Sequence, residues 1–283
     1  MDSSQLLGIT TFTYLFSSLL YMAILVFKTQ KLGTVATVFT GLAWLIQTAG
    51  LGLRWVESYQ MGIGRAPLTN MYESVVFFAW AIILLYLLME WKFKIKIIGS
   101  FAVPLAFLAM AYASFSTDLT KAINPLVPAL QSNWLIAHVV TCFIGYAAFA
   151  VAAALGIMYL LKSISPDLGE ASPSLSVRFP SLTIIDDIIH KTMVFGFIWL
   201  TAGIITGAVW ANSAWGTYWS WDPKETWSLI TWFFYAIILH ARYTRGWSGG
   251  MIAILAIFGF VSVLFTYYGV NFLLSGLHSY GSS

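Results

Sequence analysis

Charge is what this 283-residue chain has least of: only 9% of its residues are Asp, Glu, Lys or Arg. Soluble domains carry about 25%. A chain so poor in charge cannot cover a water-facing surface, which excludes a soluble globular fold. Cysteine is nearly absent too. Cys142 stands alone, so no internal disulfide and no Cys-x-x-Cys motif can form. A single thiol in an apolar run reads as a small buried apolar residue. The bases are few and scattered, which argues against nucleic-acid binding.

What is present is apolar sequence, 59% of the chain. It falls into eight runs, at 6–27, 34–56, 72–90, 97–116, 133–162, 190–211, 225–244 and 250–274. Each run is long enough to cross a bilayer as a helix, the simplest structure that satisfies the backbone in lipid. The expectation is an all-α polytopic membrane protein with about eight transmembrane helices. Residues 1–283 read as a single membrane domain, with no internal repeat and no soluble second domain. The first run lacks a basic start, carrying Asp2 instead, and is too long for a signal peptide.

Basic residues orient the chain. Lys28, Lys31, Lys92, Lys94, Lys96, Lys162, Arg178, Lys191, Arg242 and Arg245 lie on one side, which is therefore the inner one. Arg54, Arg65, Lys121 and Lys224 lie on the other. Both termini are then expected outside. So are the connections 57–71, 117–132 and 212–224 and the tail 275–283. The Ser- and Pro-rich inner connection 163–189 reads as a flexible linker.

The connection 212–224 opens the stretch with the most unusual composition. Trp215, Tyr218, Trp219, Trp221 and Trp227 crowd it, beside Asp222, Lys224 and Glu225. So many flat rings next to charges suggest a platform for something large, flat and apolar with a polar edge. Asp222 and Glu225 straddle Pro223, where acidic side chains suit a helix N-terminus. They do not resemble a hydrolytic acid/base pair. Gly203 and Gly207, with Gly196 before them, suit close helix packing.

There are four histidines. Ionisable groups in or near membrane spans are functional candidates by default, and neutral imidazole is the commonest metal ligand. The span holding His138 has about 30 residues, roughly 45 Å of helix, against a hydrocarbon core of about 30 Å. His138 therefore projects above the outer boundary, and His278 follows the last span on the same side. Two imidazoles flanking a wall of indoles would suit a b-type haem. His240 lies deeper, roughly 21 Å below the outer boundary. His190, near the inner start of span 6, gives a second candidate pair with it. The outer cations Arg54, Arg65, Lys121 and Lys224 are candidate partners for propionates or other carboxylates. Arg54 and Arg65 come first, since Arg matches a planar carboxylate, whereas Lys121 reads as an ordinary interfacial charge.

The run Trp215-Gly-Thr-Tyr-Trp-Ser-Trp-Asp-Pro-Lys-Glu225 resembles the WWD signature of the haem-handling membrane proteins. Within them, the chain resembles the CcsA/ResC family of the system II cytochrome c maturation pathway. Gly64-Arg-Ala-Pro-Leu-Thr-Asn-Met-Tyr-Glu-Ser74, Asn133-Trp-Leu-Ile-Ala-His138 and Gly203-Ile-Ile-Thr-Gly-Ala-Val-Trp-Ala211 agree with it. The resemblance implies that His138 and His278 ligate haem b over the WWD platform. It implies that His240 binds haem within the membrane, opposite a ligand from a CcsB/ResB-type subunit. His190 matches no family ligand, which favours that arrangement over a His190–His240 pair. The implied activity is that of a holocytochrome c synthase. Haem is delivered outward and joined by thioethers to the Cys-x-x-Cys-His motif of apocytochrome c, with a thioredoxin-like protein keeping the thiols reduced. No side chain is expected to act as a nucleophile. The implied location is a bacterial plasma membrane or a thylakoid membrane, with the active site on the outer face. A transmembrane di-haem electron carrier, or a haem transporter without synthase activity, is the competing expectation. Neither of those needs four tryptophans in one exposed loop.

Overall fold

The computed structural model describes residues 2–27, 30–164 and 179–274. His278, Lys28, Arg178 and the middle of the 163–189 connection lie outside them. The described chain is helical, without strands. Its helices are α1 (Ser3–Phe27), α2 (Gln30–Gln60), α3 (Met71–Phe93), α4 (Gly99–Phe115), α5 (Asn133–Ile164), α6 (Leu182–Trp215), α7 (Pro223–Arg245) and α8 (Gly250–Leu264). After α8 the chain runs through one π-helical stretch, Phe265–Gly269, into a short α9 (Val270–Leu273).

Seven of these segments are both long and apolar enough to cross a bilayer. Helix α7, at 23 residues, has the length, roughly 35 Å, but is more polar, with Lys224 and Glu225 at one end and Arg242 and Arg245 at the other. The all-α, multi-span architecture is therefore as expected, and the protein is an integral membrane protein.

Helix α6 is longer than the apolar run 190–211 that marked it, by a turn or more at each end. Ser181 caps its start, its side chain accepting from the Ile184 N–H. At the far end Gly216 turns left-handed, with φ of 80°, a conformation open to glycine without a Cβ penalty. Trp215 is thus the last helical residue of α6, and Trp227 already lies within α7.

Helix α5 is the centre of the bundle, packed on α6, α8, α3 and α4. Its buried face is built largely of alanine and glycine, from Gly145 through Ala150 and Ala154 to Gly156. Between helices in lipid there is no hydrophobic drive, so affinity comes from close backbone approach over small residues. At Gly156 a Cβ would stand 2.6 Å from the carbonyl oxygen of Ala253 on α8. A backbone carbonyl cannot swing aside. Gly156→Ala is therefore expected to cost about 1–3 kcal/mol through overpacking, read as a lower unfolding temperature in detergent. An unchanged temperature would mean that α5 and α8 do not cross this closely.

Two buried polar side chains of α1 and α2, Tyr14 and Gln47, are matched to partners. Tyr14 donates to Gln47 Oε1 at 2.6 Å, and Gln47 Nε2 donates to the carbonyl of Val76 at 2.9 Å. Each would otherwise be a costly orphan in an apolar interior.

Candidate functional site

The start of α5, the end of α6, the start of α7, the π-helical stretch and segment 68–74 converge at one end of the bundle. Together they line a cleft of about 1160 Å³, counting its open mouth.

His138 stands in this cleft, one and a half turns into α5. Its Nδ1 is 2.8 Å from the carbonyl oxygen of Gly203 on α6. A carbonyl can only accept, so Nδ1 carries the proton, and in the neutral ring Nε2 carries the lone pair. A backbone carbonyl holding one imidazole nitrogen is the usual way a metal-binding histidine is oriented. The two α6 glycines make room for this. A Cβ at Gly203 would lie 2.5 Å from Cys142 Sγ, and one at Gly207 would lie 2.6 Å from His138 Nδ1. Close packing, the role expected of these glycines, admits Cys142 at Gly203 and seats the His138 imidazole at Gly207. Cys142 is buried, and its sulfur lies 3.6 Å from His138 Nδ1.

Trp210 is buried with its ring nearly parallel to that of His138, at 18° and 5.9 Å between centroids. Trp215 meets Trp210 edge-on at 4.8 Å. Trp210 was not singled out by the sequence reading. It lies three residues after Gly207 and seven after Gly203, on their helix face, and that spacing was the available signal. Tyr267 and Asn271 also line the cleft and carried no signal, because their placement depends on the π-helical stretch. Such stretches frequently mark functional sites. Here Thr266 donates to the Trp227 carbonyl at 3.2 Å and shares a hydroxyl–hydroxyl bond of 2.9 Å with Thr231. The Trp227 ring packs on Phe265 at 4.2 Å, so it belongs to this contact between α7 and the π-helical stretch and is not among the residues lining the cleft.

Between Gly216 and Asp222 the Trp-rich stretch is irregular but tied down. Asp222 and Glu225 form a capping box at the start of α7. Asp222 Oδ1 accepts from the Lys224 N–H at 2.9 Å. Glu225 Oε2 accepts from the N–H groups of Ser220 at 2.8 Å and Asp222 at 3.2 Å. Their helix-start role is thus visible, and it also clamps the loop. Of the loop aromatics Trp219 faces the cleft. Trp221 is 68% exposed and Tyr218 61%. Trp221 also has φ of 59°, a left-handed conformation that costs a bulky residue of order 1–3 kcal/mol. Its carbonyl is held by the Thr226 hydroxyl at 3.2 Å.

Arg54 and Arg65 are buried and do not line the cleft. Both bind the buried Glu73, Arg54 Nε at 2.8 Å and Arg65 Nη1 at 2.6 Å. Their remaining nitrogens reach backbone carbonyls: Arg54 that of Lys121 at 2.8 Å, Arg65 that of Asn124 at 2.9 Å. Thr69 donates its N–H to the same carboxylate at 3.0 Å. The cluster therefore fastens segments 65–71 and 121–124 to α3, and with them the lip of the cleft at Leu68, Thr69 and Asn70. The cation that does line the cleft is Lys224.

His240 and His190 lie towards the opposite end of the bundle. His240 is exposed on α7. His190 Nε2 is 3.2 Å from the Tyr243 hydroxyl, and its ring meets Tyr243 edge-on at 5.4 Å. Arg242 and Asp186 pair beside it at 2.7 Å.

An imidazole lone pair, two indole planes, a cation and a wide apolar cleft suit a flat aromatic metal complex with acidic substituents. Comparison with known proteins supplies a context. Residues 68–278 match the family described as Cytochrome C assembly protein. The chain is 42% identical to "Cytochrome c biogenesis protein CcsA" of Guillardia theta, over 97% of this chain and 95% of that one. It is 39% identical to the CcsA of Synechococcus sp. (strain CC9311), over 99% of both chains. Among solved structures it resembles "Cytochrome c Heme Lyase CcmF" with a TM-score of 0.67 at 17% identity, covering 94% of this chain and 47% of that one. The last likeness is one of fold.

Proposed function

Because the chain belongs to the CcsA family of cytochrome c biogenesis proteins, we propose that its cleft holds haem at the outer membrane face for attachment to apocytochrome c. The observation that carries this reading is His138, oriented by the Gly203 carbonyl between Trp210 and the cleft. Haem b is the substrate. His138 offers Nε2 to the iron, and His278 is the second outer ligand. Trp210 and Trp219 supply flat apolar walls. Lys224 is the cation placed to meet a propionate, whereas Arg54 and Arg65 act through the lip they fasten.

In the attachment step the S–H of each motif cysteine adds across a haem vinyl group. A carbon–sulfur bond forms and the hydrogen goes to the neighbouring carbon, so no electrons are gained or lost. This chain therefore needs no nucleophile or redox group of its own. It must exclude water, hold the plane of the haem, and yield one iron ligand to the histidine of the incoming motif. Reduced thiols would come from a thioredoxin-like protein. His240, exposed on α7, takes haem within the membrane against a ligand from a CcsB/ResB-type subunit. The membrane is a bacterial plasma membrane or a thylakoid membrane.

The test is the visible spectrum of the chain purified in detergent with its partner subunit. The expected result is haem with two nitrogenous ligands in the wild type, a reduced haem content in His240→Ala, and an unchanged one in His190→Ala. A wild-type complex without haem, or variants with the opposite ranking, would overturn the assignment.

A further inference from the structure

The aromatics of the Trp-rich loop divide between two directions. Trp219 faces the cleft, while Tyr218 and Trp221 are left uncovered by the rest of the chain. We infer that Tyr218 and Trp221 are the docking rim for the cysteine-bearing polypeptide, while Trp219 and Trp210 serve the haem. This rests on the haem-handling reading and names the residues that would receive its second substrate.

Three observations carry it. First, Trp221 is exposed and yet held in a left-handed backbone conformation. A tryptophan that merely dips into the membrane interface has no need of that conformation. It persists here because Glu225 gathers the N–H groups on both sides of Trp221 and Thr226 holds its carbonyl. The ring is thus preset before any partner arrives. Second, the rim is continuous with the cleft. The rings of Trp221 and Trp219 meet edge-on at 5.8 Å, so a chain lying on Trp221 is one ring from the cleft wall. Third, the rim has the chemistry that extended polypeptide favours. Tyr and Trp give large, rigid, amphipathic contact area with few torsions to freeze, and they are the side chains most often dominant in binding. An unfolded polypeptide with paired cysteines and a following histidine needs such an anchor. Its own reactive groups are committed to the vinyl carbons and the iron.

The experiment uses the complex with its partner subunit and a synthetic peptide containing Cys-x-x-Cys-His, its cysteines capped to prevent reaction. Peptide affinity and the haem spectrum are measured on the same samples. Trp221→Gly removes the ring and also relieves the backbone, since glycine accepts a positive φ, so misfolding is not the expected outcome. The expected result is a peptide affinity about tenfold or more weaker with an unchanged haem spectrum. Trp221→Phe should recover most of the affinity. Trp219→Ala should do the reverse, disturbing the spectrum. If Trp221→Gly shifts the spectrum as Trp219→Ala does, the ring belongs to the haem wall and the inference fails. It also fails if affinity and spectrum are both unchanged, the result expected of an aromatic that only meets lipid headgroups. A wild-type complex without haem would instead sink the haem-handling reading, while the peptide arm can still be read on that sample.

Discussion

In the His138→Ala variant, haem ligation in the proposed haem cleft is expected to weaken by about a hundredfold or more, and c-type cytochromes to stop accumulating. Loss of a group that merely orients a metal-binding histidine costs 10–100-fold in affinity, and here the ligand itself is removed. The fold should survive. The side chain is half-buried at the start of α5, and its removal opens space in a cleft that is already wide. That vacated volume, bounded by Gly203, Gly207 and Trp210, is shaped for an imidazole. Exogenous imidazole is therefore expected to restore both the spectrum and cytochrome maturation. Rescue separates ligation from folding, because a free ligand cannot repair a misassembled bundle. Normal maturation in His138→Ala without imidazole would remove His138 from the mechanism.

Glu73→Ala is expected to destabilise the protein by about 3–5 kcal/mol, against total stabilities of roughly 5–15 kcal/mol for folded domains. Glu73 bridges two guanidinium groups, and all three side chains are buried. Deleting the carboxylate leaves Arg54 and Arg65 facing each other with no counter-charge. It also leaves the Thr69 N–H without its acceptor. The lip at 68–70 should then come loose, so haem retention is expected to fall in step with the unfolding temperature. The measurement is thermal unfolding in detergent, with folded yield as a second reading. An unfolding temperature equal to that of the wild type would show that the cluster is not the fastening it resembles. The double variant in which Arg65 is also made neutral should lose less than the sum of the two single changes, because it removes one of the stranded charges.

Both predictions concern residues that sequence pointed to, yet in different ways. His138 stands out in the sequence because the run 133–162 is longer than a bilayer is thick, from which its first turn is expected to project out of the hydrocarbon. Arg54 and Arg65 were equally conspicuous as outer cations. Their partner could not be read, because Glu73 is 19 residues from Arg54 in the chain, and nothing local shows which cations a carboxylate will gather. They therefore looked like carboxylate binders for a ligand, whereas the carboxylate they bind is internal. Trp210 was passed over because the tryptophans after it are denser. Asp222 and Glu225 were readable as suiting a helix start, and the capping box that the structure shows there is a local motif with local geometry.

Sequence by itself determined the membrane class, the helical architecture and the family. Each of these follows from composition, run length or contiguous motif, which do not depend on how the helices are arranged. Tertiary structure alone decided which residues meet. It set the His138 imidazole on the Gly203 carbonyl, turned Trp219 inward and Trp221 outward, and spent Arg54 and Arg65 on Glu73. The physical reason is that such contacts join distant segments through helix crossings. The crossings are fixed by where glycines let backbones approach, a property of pairs of helices that no single stretch of sequence contains.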